Sequence, residues 1–487
     1  MKILTFTLLA FYIQSTLAEP LGLLDHSWSF DGQTDGYDIR GGSQVGHDHF
    51  GGDVWIDSQS RTYVSGSYQS EQVGGNNGLK FARLTRYTAT GQLDTSFNGT
   101  GVLDFPLPLA SLSDNDVFVT GSEQNGVFIG YSRIFCPTQD DADCHMDIRV
   151  HHVSSSGSNL DHITVAFDVG STFQRNDDRL VDMAYSNELD RLFLAAEIEF
   201  TNANDTDFGA VAIEVSANGT MSLDNNFSFD GKQTCYFDHA NAAGSQDQAS
   251  AIAINPLGTV VIGGHAFEGN GINADGWNQA FCEFSLSGDL IRKWSTQSTG
   301  IQLDSREFLN DLLFLKTGLN ESKLYALGTQ PNAGTLDASV SVYELSQLNE
   351  WQLDSTYGEN NTGITLLGLD YAIVGDTEDY ASEFSMLPSG HMLVTGTLAN
   401  PNQNQSFFSG LFLGMLKPDG KIDKSWGYDG FTKHNFSLTS PIWDNSNALA
   451  IDPNTQDIIV TGFHYNGAFN QLTAKFHNDR IFSSDFD

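Results

Sequence analysis

Short runs in which apolar residues alternate with small or polar residues recur along the whole chain. Each run ends in a small residue, and the copies read RTYVSG (61–66), DVFVTG (116–121), RLFLAA (191–196), TVVIGG (259–264), KLYALG (323–328), HMLVTG (391–396) and DIIVTG (457–462). Alternation over so short a run is typical of a β-strand, and no segment shows the sustained 3.6-residue period of a helix. The pattern predicts an all-β chain with an internal repeat of roughly 65 residues.

The residues around each run predict three more strands per repeat. A second β-run and a tight polar turn come before it, as in Val54–Asp57 followed by Ser58–Ser60. A third alternating run comes after it and ends in another polar turn, such as Lys417–Gly420. Gly, Asn, Pro and Asp supply the geometry of such turns. A fourth run, such as Gly101–Phe105, completes the repeat.

A motif of Leu or Ile, Asp, two small or polar residues and an aromatic residue lies between the third and fourth runs. Its copies are Leu24–Trp28, Leu93–Phe97, Leu223–Phe227, Leu353–Tyr357 and Ile422–Trp426, with degenerate versions near Leu160, Leu290 and Ile481. On this motif the chain resembles the delta-60 repeat family, most clearly over Phe81–Phe105. The resemblance implies an exported bacterial protein of repeated β-structure, and it brings no catalytic or binding residues.

Seven repeats of four strands predict a single seven-bladed β-propeller that spans residues 19–487. Radial closure protects the exposed edges that a stack of four-stranded sheets would otherwise leave. A linear β-solenoid is the alternative, but its repeats are usually shorter and contribute one strand to each face. Because the chain begins inside a repeat, we expect the N-terminal strand Tyr37–Arg40 to complete the last blade, which the C-terminal strands begin.

The first 18 residues resemble a signal peptide. Lys2 precedes the mostly apolar stretch Ile3–Leu17, and Thr16 and Ala18 occupy the small-residue positions before a cleavage site. No later segment approaches 18 uninterrupted apolar residues, so we expect no membrane span after cleavage. The mature protein is therefore expected to be secreted, or located in the periplasm or at the cell surface.

The charge of the chain disfavours several classes of partner. Its 487 residues include 61 acidic and 23 basic ones, a net charge of −38. Such a surface repels nucleic acids and anionic lipids. Solubility explains this charge without any ligand, and capture of a cation is the alternative explanation.

Four cysteines are too few for a disulfide scaffold in a chain of this length. Cys136 and Cys144 flank the polar run Pro137–Asp143, and this spacing suits a local bridge. Cys235 and Cys282 fall on expected strands, and the sequence allows either a disulfide between them or two buried free thiols.

One aspartate recurs at a fixed distance before the small residue that ends six of the runs. It lies 17 or 18 positions upstream, and the six residues are Asp48, Asp178, Asp247, Asp311, Asp379 and Asp444. Equivalent positions in a propeller form a ring on one face. In one interpretation each aspartate accepts backbone N–H bonds at the start of its strand. In the other, the ring binds a cation, and oxygen ligands without His or Cys favour Ca²⁺ over zinc.

Two groups of histidines are weaker candidates. They are His47 with His49, and His145 with His151 and His152, and we interpret both as exposed loop residues. In a strand, His151 and His152 would point to opposite faces and could not easily bind one metal.

The sequence favours a non-enzymatic, exported binding or scaffold protein, which we expect to be monomeric. Its unknown ligand, a protein or a glycan, would contact the loops on one propeller face. The alternative is a hydrolase that acts on a glycan or an ester at the channel mouth, with part of its site built from the aspartates. In a third interpretation the aspartates hold an ion for stability only.

Overall fold

The computed structural model describes most of the chain, and among the described residues strands are the only regular elements that extend beyond a turn. The described ranges are 23–28, 35–41, 48–70, 79–107, 116–136, 144–167, 177–199, 206–237, 246–267, 276–296, 307–332, 335–369, 378–400, 408–434, 436, 442–465 and 467–478. The expected signal peptide lies outside these ranges. Within them, no helix has the length and apolar character needed to cross a membrane.

The strands are short and follow one another closely. Their bounds are β1 Tyr37–Arg40, β2 His49–Ile56, β3 Thr62–Gln69, β4 Lys80–Tyr87, β5 Val102–Leu107, β6 Val117–Ser122, β7 Gly126–Phe135, β8 His145–Val153, β9 Asn159–Val165, β10 Asp178–Ser186, β11 Arg191–Glu199, β12 Thr206–Val215, β13 Met221–Leu223, β14 Lys232–Cys235, β15 Asp247–Asn255, β16 Thr259–Phe267, β17 Trp277–Ser285, β18 Leu290–Ser295, β19 Phe308–Lys316, β20 Ser322–Asn332, β21 Thr335–Leu345, β22 Trp351–Leu353, β23 Ile364–Leu366, β24 Glu378–Met386, β25 Met392–Asn400, β26 Phe408–Leu416, β27 Phe431–His434, β28 Ile442–Ile451, β29 Ile458–Tyr465 and β30 Phe469–Phe476.

Hydrogen bonds group these strands into six sheets. Five are antiparallel and follow chain order: β2–β5, β6–β9, β10–β13 with β14 beside β12, β15–β18, and β19–β22 with β23 beside β21. The sixth has eight strands, ordered β1-β30-β29-β28-β26-β25-β24, with β27 beside β26. Its strands β26 and β28 are parallel and pair at only two positions, so the sheet divides there into two antiparallel groups.

The sheets are arranged as a closed ring around a central channel. Their inner strands β2, β6, β10, β15, β19, β24 and β28 contact one another in this order, and β28 also contacts β2. Each inner strand contributes residues to the channel wall. Four-stranded antiparallel sheets placed radially around a channel define a β-propeller, so the expected fold class is confirmed. The count of seven blades stays a prediction.

The two ends of the described chain meet in one sheet. Strand β1 pairs with β30, with Tyr37 opposite Ala474 and Arg40 opposite Gln471. The prediction that the N-terminal strand completes the last blade is therefore confirmed. Tyr87 of the next sheet donates its hydroxyl to Asp38 at 2.8 Å, which fixes β1 against its neighbour as well.

The second repeat differs from the sequence expectation. The run Asp116–Gly121 was aligned with the other copies, in a repeat that the sequence shows to be short before Asp116, but its residues 117–121 belong to the inner strand β6. The strand that corresponds to the other copies is β7, in which Tyr131 lies opposite Val117. Tyr131 lies 65 residues from both Gly66 and Ala196, so the repeat length is regular. The expectation for Asp116–Gly121 was wrong because both strands alternate in the same way.

The Leu-Asp-x-Ser-aromatic motif forms a turn at the junction between neighbouring sheets. In one copy, Asp94 accepts bonds from the backbone N–H and the hydroxyl of Ser96, at 3.0 and 2.6 Å. Its other oxygen pairs with Arg86 at 2.8 Å. The N–H of Asn98 donates to the carbonyl of Ser156 in the next sheet at 2.9 Å. The aromatic residues of the motif are buried in all five copies: Trp28, Phe97, Phe227, Tyr357 and Trp426.

The apolar core is divided into layers between neighbouring sheets. One layer packs Phe193 and Phe208 of one sheet against Val260 and Ile262 of the next. The motif residue Phe227 belongs to the same layer. The motif is therefore a structural element: its aspartate is used in hydrogen bonds and an ion pair, and its aromatic residue packs in the layer between the sheets.

Both pairs of cysteines form disulfides. Cys136 and Cys144 are joined as the spacing suggested, and Cys235 is joined to Cys282. The second bridge connects β14 to β17 and therefore links two neighbouring sheets. It is buried within the apolar layer between them.

Replacing Cys235 and Cys282 with Ala should lower the free energy of unfolding by about 2–4 kcal/mol, because the bridge restricts a long loop of the unfolded chain. Denaturant unfolding measures this loss. The control is Cys136→Ala with Cys144→Ala, which opens a loop of only eight residues. A loss in the control as large as in the first variant would contradict the expectation.

Candidate functional site in the central channel

Four carboxylates converge in the channel at the centre of the ring. They are Asp53 on β2, Asp182 on β10, Asp311 on β19 and Glu383 on β24. The cavity that they line has a volume of about 120 Å³. Asn310, Ser382 and Asn447 add amide and hydroxyl groups to its wall.

A β-bulge directs each carboxylate into the channel. The register of β10 shifts between Leu180 and Asp182, so Val181 is the extra residue. The same shift occurs in β19 before Asp311 and in β24 before Glu383, and in β2 it spans Gly52 and Asp53. A bulge bends its strand and reorients the side chains beside it. The carboxylate therefore faces the channel, while the residue that follows it faces the apolar core.

Each carboxylate also joins its sheet to the next one. Asp182 accepts the N–H of Met183 at 2.7 Å and, with its other oxygen, the N–H of Ile252 in the neighbouring sheet at 2.8 Å. Asp53 accepts the N–H of Val119 at 2.9 Å in the same way. At the other two junctions, the backbone N–H of Phe384 donates to Asp311 at 3.2 Å, and the backbone N–H of Leu449 donates to Glu383 at 2.8 Å. The inner strands are thus connected through acidic side chains.

The bulged residues form a second set of bonds around the channel. The amide of Asn310 donates to the carbonyl of Ala381, and the hydroxyl of Ser382 to that of Ser446, both at 2.6 Å. The amide of Asn447 donates to the carbonyl of Gly51 at 2.6 Å. This last bond joins the C-terminal part of the ring to β2, so the closure of the ring includes the channel wall.

The environment of the channel disfavours four negative charges. Burial raises the pKa of Asp53 and of Asp311 to about 7, although the backbone N–H bonds oppose this shift. Burial raises the pKa of Asp182 and of Glu383 well above the usual range, and the charges of the other channel carboxylates add to it. Without a cation, the four groups therefore share protons near neutral pH.

Four of the six aspartates singled out from the sequence occupy equivalent positions. They lie at or near the start of inner strands, and each lies two residues before the last paired residue that precedes the β-bulge. These four residues are Asp178, Asp247, Asp379 and Asp444. Each is buried and accepts a backbone N–H from the segment that precedes its strand: those of Phe167 at 2.6 Å, Phe237 at 2.5 Å, Leu369 at 3.1 Å and Phe436 at 2.7 Å. These bonds support the structural interpretation, and cation binding by this set stays a prediction.

Asp48 and Asp311 do not share that position. In β2 the equivalent residue is His49, which lies opposite Tyr68. In β19 the last paired residue before the bulge is Leu309, so the equivalent residue, two positions earlier, is Glu307. Asp311 lies after the bulge, in the channel. For Asp311, counting back a fixed distance failed because its hairpin is longer: Leu309 pairs with Gly328, 19 positions later, whereas Ala249 pairs with Gly264, 15 positions later.

Sequence reasoning missed Asp53, Asp182 and Glu383. Their signal is an acidic residue inside an apolar inner strand, followed directly by a core residue, as in Val181-Asp182-Met183. A carboxylate at such a position is costly unless it has partners. A search for acids within the first run of each repeat would have found them.

A separate group of possible ligands lies at the junction of the two chain ends. Atoms of Asp25, Asp457 and His477 lie within 4.8 Å of one another, and among the described residues no other group of three meets this criterion. The ammonium group of Lys475 lies 3.2 Å from Asp25 and 3.0 Å from Asp457. Lys475 therefore offsets one of the two carboxylate charges, and we assign the cluster to the closure of the ring.

Four of the five histidines expected in exposed loops lie in strands, His49 on β2 and the other three on β8, so the expectation was wrong for them. His49, His151 and His152 are buried. His151 and His152 lie on β8, where His151 contacts the hydroxyl of Tyr131 at 2.9 Å and His152 the carbonyl of Gly219 at 2.7 Å. Their interpretation as exposed loop residues was wrong, because β8 extends through them. Burial lowers the pKa of His151 to about 4. His47 lies outside the described residues.

Comparisons with known proteins give no family. No family model matches the sequence, and no curated protein sequence matches it. Similar solved structures include a catalytically inactive virginiamycin B lyase from Staphylococcus aureus with quinupristin, at 10% identity and a TM-score of 0.40 over 90% of this chain and 99% of that chain. The β-propeller domain of Nup133 from Vanderwaltozyma polyspora has 8% identity and a TM-score of 0.39 over 86% and 99%. A sialidase from Trypanosoma rangeli with the inhibitor DANA has 9% identity and a TM-score of 0.37 over 76% and 56%. Likeness at this level carries no argument about ligand or activity.

The channel carboxylates should make the protein less stable as the pH rises. Their pKa values in the folded state exceed the ordinary value of about 4, so between about pH 4 and pH 7 the folded chain binds more protons than the unfolded one. The melting temperature, measured with a chelator present, should therefore fall from pH 5 to pH 8. We expect a smaller fall for Asp53→Asn with Asp311→Asn.

The matched control is Glu188→Gln, an exposed carboxylate in the turn between β10 and β11. Its melting temperature should follow that of the unmodified protein across the same pH range. An equal fall in the double variant and in the unmodified protein would show that the channel groups titrate normally.

Proposed function

We propose that the protein is an exported, non-catalytic binding protein whose central channel holds a divalent cation between Asp53, Asp182, Asp311 and Glu383. The observation that carries the proposal is the convergence of these four carboxylates in one narrow cavity. Burial raises the pKa values of all four groups, and repulsion adds to the shift for Asp182, Asp311 and Glu383, so a cation there offsets both effects. The N-terminal sequence and the two disulfides support export.

The chemistry of the wall favours Ca²⁺. The groups available are carboxylate, amide and hydroxyl oxygens, which are ligands of hard cations. Among the described residues, no three channel carboxylates bring their oxygens within 4.8 Å of one another. The ion would therefore retain some of its water molecules and bind through them as well as directly.

The alternative of a hydrolase in the channel receives less support. A cavity of about 120 Å³ is smaller than the ~300–1,000 Å³ typical of small-molecule sites. Both oxygens of Asp53, Asp182 and Asp311 already accept backbone N–H bonds. These groups are held for structure and charge, with little freedom to act on a glycan or an ester.

Addition of Ca²⁺ at pH 8 should raise the melting temperature relative to protein in chelator, because only the folded state presents the converging carboxylates. The shift should shrink at pH 5, where protons neutralise the same groups. Asp182→Asn and Glu383→Gln should each reduce it, and Glu188→Gln should leave it unchanged. Calorimetric titration with Ca²⁺ measures the binding directly.

A second pair of substitutions distinguishes the channel from the strand-start aspartates. Asp247→Asn with Asp379→Asn lowers stability through the lost backbone bonds but should retain the Ca²⁺-dependent shift. Loss of that shift in this variant, with the shift retained in Asp182→Asn, would place the ion at the strand starts and refute the channel site.

A further inference from the structure

Most arginines of this acidic chain are used in ion pairs, and the exceptions lie together. Of the nine arginines that the structure describes, seven have a carboxylate oxygen within 3.0 Å of a guanidinium nitrogen: Arg40, Arg61, Arg83, Arg86, Arg179, Arg191 and Arg292. The other two are Arg133 and Arg149, and neither has an ion pair or a side-chain hydrogen bond with a described residue. Only the Nε atom of each group is buried and the side chains are half-buried, so their terminal nitrogens are open to solvent.

Both arginines lie on one face of the long hairpin β7–β8. Arg149 lies opposite Tyr131, and Arg133 lies opposite Asp147. On β9, Thr164 lies opposite Arg149. Residues paired across antiparallel strands point to the same side of the sheet, so these five side chains share a face. Tyr131 is buried and Thr164 is exposed, so the arginines lie where the apolar layer ends and the surface begins.

The hairpin that carries the two arginines is held in place on both sides of them. Three residues beyond Arg133, the disulfide between Cys136 and Cys144 joins the two strands. In the other direction, Phe105 of the neighbouring sheet packs on the ring of His151, with centroids 4.1 Å apart. The strands are therefore fixed before any ligand arrives, which lowers the entropic cost of binding.

The two arginines repel each other, and the nearby acid does not balance them. Burial lowers the pKa of Arg149 and the charge of Arg133 lowers it further, while the charge of Asp147 opposes this shift without reversing it. The carboxylate of Asp147 lies 3.4 Å from His145 and forms no ion pair with either arginine. Two positive charges thus face one negative charge, and one more negative charge would balance the cluster.

We propose that Arg133 and Arg149 bind the carboxylate of a small organic acid. A guanidinium group presents a planar fork of N–H donors that matches a carboxylate, and the bonds are strong because both groups are charged. The exposed hydroxyl of Thr164 is a further donor on the same face. Phe135 is 48% exposed and lies two residues from Arg133 on this face, so it can contact the apolar part of the acid. None of these residues belongs to the cation site in the channel.

The net charge of −38 is compatible with a small anionic ligand. At physiological ionic strength charges are screened over ~8 Å, so a small anion responds mainly to the groups beside it. A nucleic acid or an anionic membrane covers a much larger area and meets the acidic surface as a whole. The site therefore favours a small acid over a polyanion.

Calorimetric titration with benzoate, in physiological salt with a chelator present, tests the proposal, and we expect saturable binding. Arg133→Gln and Arg149→Gln should each weaken it about tenfold or more, the effect of one lost charge-assisted hydrogen bond. Arg149→Lys retains the charge but loses the fork, so it should weaken binding too. Phe135→Ala should weaken it through the lost apolar contact.

The matched control is Arg83→Gln, which alters a strand arginine that is paired with Asp104. It should leave benzoate binding unchanged, as should Asp182→Asn in the channel, so this site and the cation site can fail independently. Absence of benzoate binding overturns the proposal, and so does binding that both Arg133→Gln and Arg149→Gln leave intact. Binding of sulfate without any binding of benzoate would overturn the assignment to a carboxylate.

A second measurement uses the unmodified protein and does not depend on how the variants fold. Phenylglyoxal reacts with accessible guanidinium groups, and mass spectrometry of peptides locates the modified residues. Benzoate should slow the modification of Arg133 and Arg149 and leave that of Arg83 unchanged. Equal rates with and without benzoate at Arg133 and Arg149 would contradict the proposal.

Discussion

A carboxylate that accepts a backbone N–H from the neighbouring sheet is the interaction on which the ring depends. The inner strands lie closest to one another, and N–H groups near the channel need acceptors because buried donors are costly to leave unpaired. Asp53, Asp182, Asp311 and Glu383 supply these acceptors at four junctions. The consequence is a concentration of negative charge at the centre of the molecule. Protons or a cation must offset it, so the closure of the ring and the chemistry of the channel have one cause.

The fold was largely predictable because its signals are local. Alternating runs, tight turns and the Leu-Asp-x-Ser-aromatic motif are each determined by a few neighbouring residues, and their recurrence indicates the ring. The pairing of Tyr37–Arg40 with β30 followed from where the repeats begin and end. In the second repeat, the pattern alone could not show which strand corresponds to which strand of the other repeats, since β6 and β7 are both apolar alternating strands. Only the register shows which of them is inner.

The candidate site was less predictable, because it depends on bulges and hairpin lengths. Asp247 and Asp379 were correctly aligned, since their hairpins are alike in length. Asp311 was placed in the same set by counting, yet a longer hairpin and the bulge at Asn310 bring it into the channel. A bulge has no fixed sequence signature. The convergence of side chains from separate repeats is therefore visible only in three dimensions.

The central claim is that the channel binds a divalent cation, and anomalous diffraction tests it most directly. Crystals grown at pH 8 with Mn²⁺, another cation with a preference for oxygen ligands, would locate the ion independently of any stability effect. The account predicts an anomalous peak in the channel, surrounded by Asp53, Asp182, Asp311 and Glu383. A channel without such a peak, with Mn²⁺ bound instead at Asp25, Asp457 and His477, would contradict it.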